Sequence, residues 1–142
     1  MPLKPADNVL AKQKGPFMSA VLAICVGACL GALARWQLGV HFNANSVLPW
    51  GTLYANLMGG YLIGVCVAVF QLLPDLDPVW RLLWVTGFLG ALTTFSSFSA
   101  EVVDMLLSAR WGMALGTASL HLLGSLLCTF AGIKTIEMIW VR

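Results

Sequence analysis

Apolar residues fill long runs of this chain, and polar residues interrupt them at only a few places. The uncharged runs cover 17–34, 36–73, 82–100 and 111–133. The second run contains a break between His41 and Trp50, where Asn43, Asn45, Ser46 and Pro49 cluster and read as a loop. A helix crossing the hydrocarbon needs about 20 predominantly apolar residues. The pattern predicts four such helices, at about 17–40, 51–73, 79–107 and 111–139, the last two overrunning the hydrocarbon. Residues 74–78 (Pro-Asp-Leu-Asp-Pro) form the second connection, and 108–110 a very tight third. The expected fold class is all-α and integral to the membrane.

Composition agrees. The chain has 142 residues, 59% hydrophobic and 10% charged, with mean hydropathy +0.86. Soluble domains carry roughly 25% charged residues. Eight Lys/Arg and six Asp/Glu could not cover a soluble surface of this size, so bilayer is the natural solvent. A net charge of +2, with the basic residues scattered, does not point to nucleic acid. Cys25, Cys29, Cys66 and Cys128 all lie in apolar runs without a CxxC pair, and read as small buried hydrophobes.

Residues 1–16, with three lysines and three prolines, read as a mobile basic tail ahead of a single membrane domain over 17–142. A cleaved signal peptide ending at Ala32-Leu33-Ala34 is rejected, because the first apolar run is already of spanning length. If four helices cross, Lys4, Lys12, Lys14, Arg81, Lys134 and Arg142 share one side, against Arg35 and Arg110 on the other. That count favours a cytoplasmic N-terminus. Without the tail it falls to three against two, so the membrane body carries almost no orientation signal.

Each helix bears a stripe of small or polar residues four apart. Gly27, Gly31 and Arg35 form one, Thr52, Asn56, Gly60 and Gly64 a second, and Thr117, His121, Ser125 and Thr129 a third. At 3.6 residues per turn such a ladder holds one face. The glycines read as close helix packing. Asn56, Thr52 and Ser125 suit either interhelical hydrogen bonds or a substrate track, and His121 reads as a packing residue. Two glycines precede Arg35 on its face, which points inward, and an ionisable group at membrane depth is a candidate functional residue.

The third helix carries Thr93-Thr-Phe-Ser-Ser-Phe-Ser99, with Phe95 and Phe98 sharing a face at i,i+3. Hydroxyl-rich backbone in a spanning segment is tolerated where protein buries it or where it lines a passage. Helices one and two contain no Asp or Glu, and no GxSxG or HExxH constellation joins the serines and histidines, so neither a proton-coupled cation exporter nor an enzyme is indicated. What remains is donors: hydroxyls, an amide and a guanidinium. Donors suit an anion. Aromatic edges are positive, so two rings presented edge-on would tolerate a small hard anion in an apolar constriction.

Three segments carry a resemblance: Gly31-Ala-Leu-Ala-Arg-Trp36, Gly51-Thr-Leu-Tyr-Ala-Asn-Leu-Met-Gly-Gly60 and Gly87-Phe-Leu-Gly-Ala-Leu-Thr-Thr-Phe-Ser-Ser-Phe-Ser-Ala-Glu101. In this order and spacing the chain resembles the Fluc (CrcB-type) fluoride channels from about Ser19 to its C-terminus. The resemblance implies an antiparallel, dual-topology homodimer in the cell inner membrane, with four helices per subunit and the third interrupted. Fluoride would leave the cytoplasm passively through two narrow pores at the dimer interface. Phe95 and Phe98 would line each pore with Asn56 beside them, Arg35 would stand at the aqueous vestibule, and Thr52, Glu101, Thr117 and Ser125 would form a polar track. Backbone carbonyls of Gly90 and Thr93 would hold a Na⁺ shared between subunits. Ser97 departs from a commoner threonine and keeps the hydroxyl. The alternative is a small dual-topology four-helix exporter of another substrate, disfavoured by the missing carboxylate. A non-transporting assembly protein, with the Phe and hydroxyl cluster as packing, is the other rival.

Overall fold

The computed structural model describes residues 6–43 and 48–140. Four of its helices are long and apolar enough to cross a membrane: Phe17–Phe42, Trp50–Leu72, Pro78–Leu107 and Trp111–Trp140. They are named α1 to α4, and their bounds lie within two residues of those the hydropathy pattern predicts. Helix α1 extends back to Ala6, so part of the segment expected as a tail is helical, while residues 1–5 lie outside the described ones.

The ends follow local chemistry. Asn43 Oδ1 accepts from the Gly51 N–H at 2.7 Å and ties the start of α2 to the end of α1. Asn45 and Ser46 of that loop lie outside the described residues. Asp77 caps the start of α3 by accepting from the Val79 N–H at 2.9 Å, with Pro78 at the first helical position. The turn into α4 is tight because Ala109 takes a left-handed φ of 56°, letting the Arg110 N–H reach the Met105 carbonyl at 2.8 Å.

Helix α1 packs along the first half of α3 (78–92), and α2 packs along α4. Both contacts bring backbone against backbone. A Cβ on Gly27 would fall 2.2 Å from the Leu83 carbonyl oxygen, and one on Gly31 would fall 2.1 Å from that of Phe88. Across the other pair, a Cβ on Gly64 would meet the Thr129 oxygen at 2.1 Å. Lipid gives helices no hydrophobic reason to associate, so close approach at small residues supplies the packing instead. Ala55, Leu89 and Leu92 form the buried centre, where α1, α2 and the first half of α3 meet. Large apolar side chains such as Leu30, Leu33, Leu123 and Leu127 face outward.

Helix α3 is irregular in a way its composition does not announce. Leu82–Leu89 is wound as a π-helix, Gly90–Leu92 resumes the α form, and the chain then runs extended through Thr93 and Thr94. A second α-helical half, Phe95–Leu107, follows and packs against α4. The interruption expected from the family resemblance is therefore present.

Candidate functional site

The interruption must be repaired, because a chain in hydrocarbon has no water to satisfy freed backbone groups. Thr94 caps the helix that follows it: its Oγ1 accepts from the Ser97 N–H at 3.1 Å. Its own N–H, which in an unbroken helix would reach the Gly90 carbonyl, donates to Asn56 Oδ1 at 2.8 Å. Asn56 Nδ2 returns a bond to the Thr94 carbonyl at 3.1 Å. On the other flank, the half-buried Arg35 donates through Nε to the Ala91 carbonyl at 2.9 Å. Side chains from α1 and α2 thus substitute for the missing turn.

The remaining amide proton of Asn56 meets His121 Nδ1 at 3.0 Å. A backbone N–H can only donate, so the amide atom facing Thr94 N is the oxygen and the other end is NH₂. His121 Nδ1 must then accept, which puts the ring proton on Nε2. The His121 ring lies against Phe98, centroids 4.6 Å apart and 29° from parallel. Phe98 in turn meets Phe95 near edge-on, at 5.5 Å and 61°. Phe95 is 79% exposed and packs little against its own chain.

These groups border one groove of about 500 Å³, formed by α2, both halves of α3 and α4. Of the ten residues singled out in the sequence, Asn56, Phe95, Phe98, Ser125, Gly90 and Thr93 line it together. Thr52 and Glu101 sit outside it and bind each other, Thr52 Oγ1 donating to Glu101 Oε1 at 2.5 Å. Thr117 is buried, with its hydroxyl 3.6 Å from Met105 Sδ. Arg35 does not stand free at a helix end but serves the interruption from α1. Several hydroxyl protons are already used: Thr93 Oγ1 donates to the Leu89 carbonyl, and Thr129 Oγ1 to that of Ser125. Among the described residues the Ser125 hydroxyl, which lines the groove, has no such partner.

Residues 22–133 match the family of CrcB-like proteins (Camphor Resistance, CrcB). The chain belongs to the CrcB family. Named relatives agree. A protein of Albidiferax ferrireducens called fluoride-specific ion channel FluC is 71% identical over 118 residues, which is 83% of this chain and 91% of the relative. Relatives under the same name from Variovorax paradoxus and Pseudomonas putida are 65% and 52% identical, covering 82% and 86% of this chain and 94% and 97% of their own lengths.

Within this CrcB-family chain the interruption also sets the local field. The 13-residue second half of α3 begins at Phe95 and directs its partly positive end toward the groove. The first half ends at Leu92 and leaves carbonyls with partial negative charge. One break therefore supplies an environment for an anion and one for a cation. His121, read as a packing residue, is buried against Phe98 and bonded to Asn56. Its place between Asn56 and Phe98 depends on how α2, α3 and α4 meet, although its position on the Thr117, Ser125, Thr129 ladder was a usable signal.

Proposed function

We propose that this chain is a subunit of a fluoride channel that lets the ion leave the cytoplasm passively across the cell inner membrane. One observation carries the reading: Phe95, Phe98, Asn56 and Ser125 converge on a single groove at the break in α3. There the positive end of a helix, the ring edges and an unspent hydroxyl offer positive charge or donors without water. A small, hard, strongly hydrated anion needs such replacements for its shell, and relatives of this chain are named for fluoride.

A homodimer completes the passage. The groove and the extended Thr93–Thr94 backbone beside it need a protein cover, since irregular backbone at membrane depth is stable only when buried or lining a cavity. A second, inverted copy would provide that cover. The interfacial tryptophans support inversion: Trp36, Trp50 and Trp111 belong to one side and Trp80, Trp84 and Trp140 to the other, three against three. With the near-even Lys/Arg count of the membrane body, neither orientation is strongly preferred.

The Na⁺ assignment fits the donors present. Gly90 and Thr93 offer neutral carbonyl oxygens, hard ligands suited to a hard cation, and the Thr94 N–H that would have used the Gly90 carbonyl is turned toward Asn56. A bound Na⁺ would supply positive charge at the centre of the dimer. Thr52, Glu101 and Thr117 extend the polar path along the second half of α3 and its contact with α4.

The test is fluoride release from proteoliposomes, followed with an ion-selective electrode. Expected is rapid fluoride efflux with no matching chloride efflux. Vesicles that hold their fluoride would overturn the proposal.

A further inference from the structure

A second groove, of about 400 Å³, lies between the end of α2 and the start of α3, beside the turn that joins them. Its lining is apolar throughout, with Val65, Cys66, Val69 and Phe70 on one wall and Trp80 and Trp84 on the other. It shares only Leu89 with the groove at the break. Trp80 and Trp84 are 48% and 45% exposed, so the cleft opens on the outside of the subunit. Tryptophans of this kind mark the headgroup level of a bilayer.

Two unpaired charges stand at its mouth. The Arg81 guanidinium lies over the Phe70 ring, 5.3 Å from the centroid, and makes no ion pair among the described residues. Asp77 spends Oδ1 on the Val79 N–H, and its charge is likewise unpaired among the described residues. The two positions are one helical turn apart, about 6 Å along the axis. Opposite charges at this spacing commonly bridge each other. Here they do not, which leaves a cation and an anion side by side above an apolar slot.

We propose that this groove binds one phospholipid with an ammonium head, of the phosphatidylethanolamine type. An acyl chain lies between α2 and α3, the phosphate meets Arg81 and the ammonium meets Asp77. A helix with its side chains is about 10–12 Å across, too wide for a cleft of this volume, whereas an acyl chain is slender enough. The planar guanidinium suits a phosphate. Asp75 and Asp77 outnumber Arg81 in this turn, which disfavours a lipid of net negative charge. The site does not depend on which ion the chain conducts.

The test uses wild-type protein with phosphatidylethanolamine carrying a photoreactive diazirine on its acyl chain. Adducts should concentrate on residues 65–70 and 80–88 rather than on Leu123 and Leu127, which also face outward. Even labelling would overturn the proposal. Native mass spectrometry then counts retained lipid, with phosphatidylethanolamine favoured about fivefold over phosphatidylglycerol and phosphatidylcholine. Arg81→Gln should lower its retention about fivefold with an unchanged melting temperature. Asp77→Asn, which keeps an acceptor for the Val79 N–H, should turn the preference toward phosphatidylglycerol. Undiminished retention in Arg81→Gln, or phosphatidylglycerol held best by wild type, would overturn the site. Val69→Trp should fill the groove and suppress the adducts. A folded Val69→Trp protein that loses a dimer mass seen for wild type would assign the groove to a second copy and overturn the lipid site.

Discussion

Arg35 and Asn56, on different helices, hold opposite flanks of the same gap. The guanidinium donates to the Ala91 carbonyl at 2.9 Å, and the amide brackets both backbone groups of Thr94 at 2.8 and 3.1 Å. Two candidate transport residues are therefore also the residues that make an interrupted helix tolerable in lipid. Their substitution should change shape as well as flux.

For Asn56 the two effects can be told apart. Asn56→Ala should lower stability by about 1–3 kcal/mol, because Thr94 and His121 lose partners in a place water cannot reach. Asn56→Asp retains an acceptor for the Thr94 N–H but not the two donated bonds, and places a carboxylate beside the anion path. Flux is expected to rank wild type, then Ser, then Asp, in proteoliposomes matched for folded protein. Equal flux in all three would count against an anion pathway here.

Arg35→Met should lose about 1.5–3 kcal/mol, the range for a hydrogen bond to a charged donor. Thermal unfolding in detergent would measure it. Arg35→Lys is expected to recover only part of the loss, since an ammonium cannot reproduce the planar reach of the guanidinium. A melting temperature unchanged in Arg35→Met would show that the Ala91 contact contributes nothing.

The phenylalanines should show the reverse pattern. Phe95 is 79% exposed in the single chain, so Phe95→Ile should leave monomer stability within about 0.5 kcal/mol. Phe98→Ile loses the stack on His121 and should cost somewhat more. Both should reduce fluoride flux sharply, because apolar volume is roughly retained while the ring quadrupole is lost. Wild-type flux in both variants would remove the rings from the mechanism.

Glycine substitutions test the packing. A Cβ at Gly64 meets the Thr129 carbonyl oxygen at 2.1 Å, whereas one at Gly116 meets nothing within 4 Å. Gly64→Ala should destabilise by about 1–3 kcal/mol by forcing α2 and α4 apart. Gly116→Ala should be neutral or mildly stabilising, as expected of alanine replacing glycine within a helix. Melting temperatures of the two variants give the comparison directly.

Topology is open to a charge test. Deleting residues 1–14 reduces the Lys/Arg imbalance from six against two to three against two. The full chain should insert both ways with an excess of N-terminus-in molecules, and the shortened one near parity with the same flux per dimer. Labelling of Asn45→Cys from each side, in protein lacking the native cysteines, would report the split. A single orientation in both proteins would exclude the antiparallel dimer.

Four spans, their bounds and their connections were legible in the hydropathy pattern, since crossing a bilayer imposes a length and a polarity that each segment satisfies alone. The glycine stripes were legible too: Gly27, Gly31, Gly60 and Gly64 all sit where a Cβ would come within 3 Å of a neighbouring backbone oxygen. So was the inward face of Arg35. The π-wound turns of 82–89 were not, because that winding depends on what packs against it rather than on residue preference. Nor could spacing say whether Asn56, Thr52 and Ser125 served packing or passage. Asn56 is engaged by its own chain through Thr94 and His121, and Thr52 through Glu101, while Ser125 lines the groove.

Sequence by itself determined that this chain lives in a membrane, how many times it can cross, and which few polar groups it takes there. Only the tertiary structure decided how those groups are spent. A donor on a helix stripe has no fixed role until another helix either meets it or leaves it bare. Asn56 finds Thr94, Arg35 finds Ala91, and the Nε2–H of His121 finds nothing, because hydrogen bonds between helices depend on distances of a few ångströms that no residue pattern along one chain specifies.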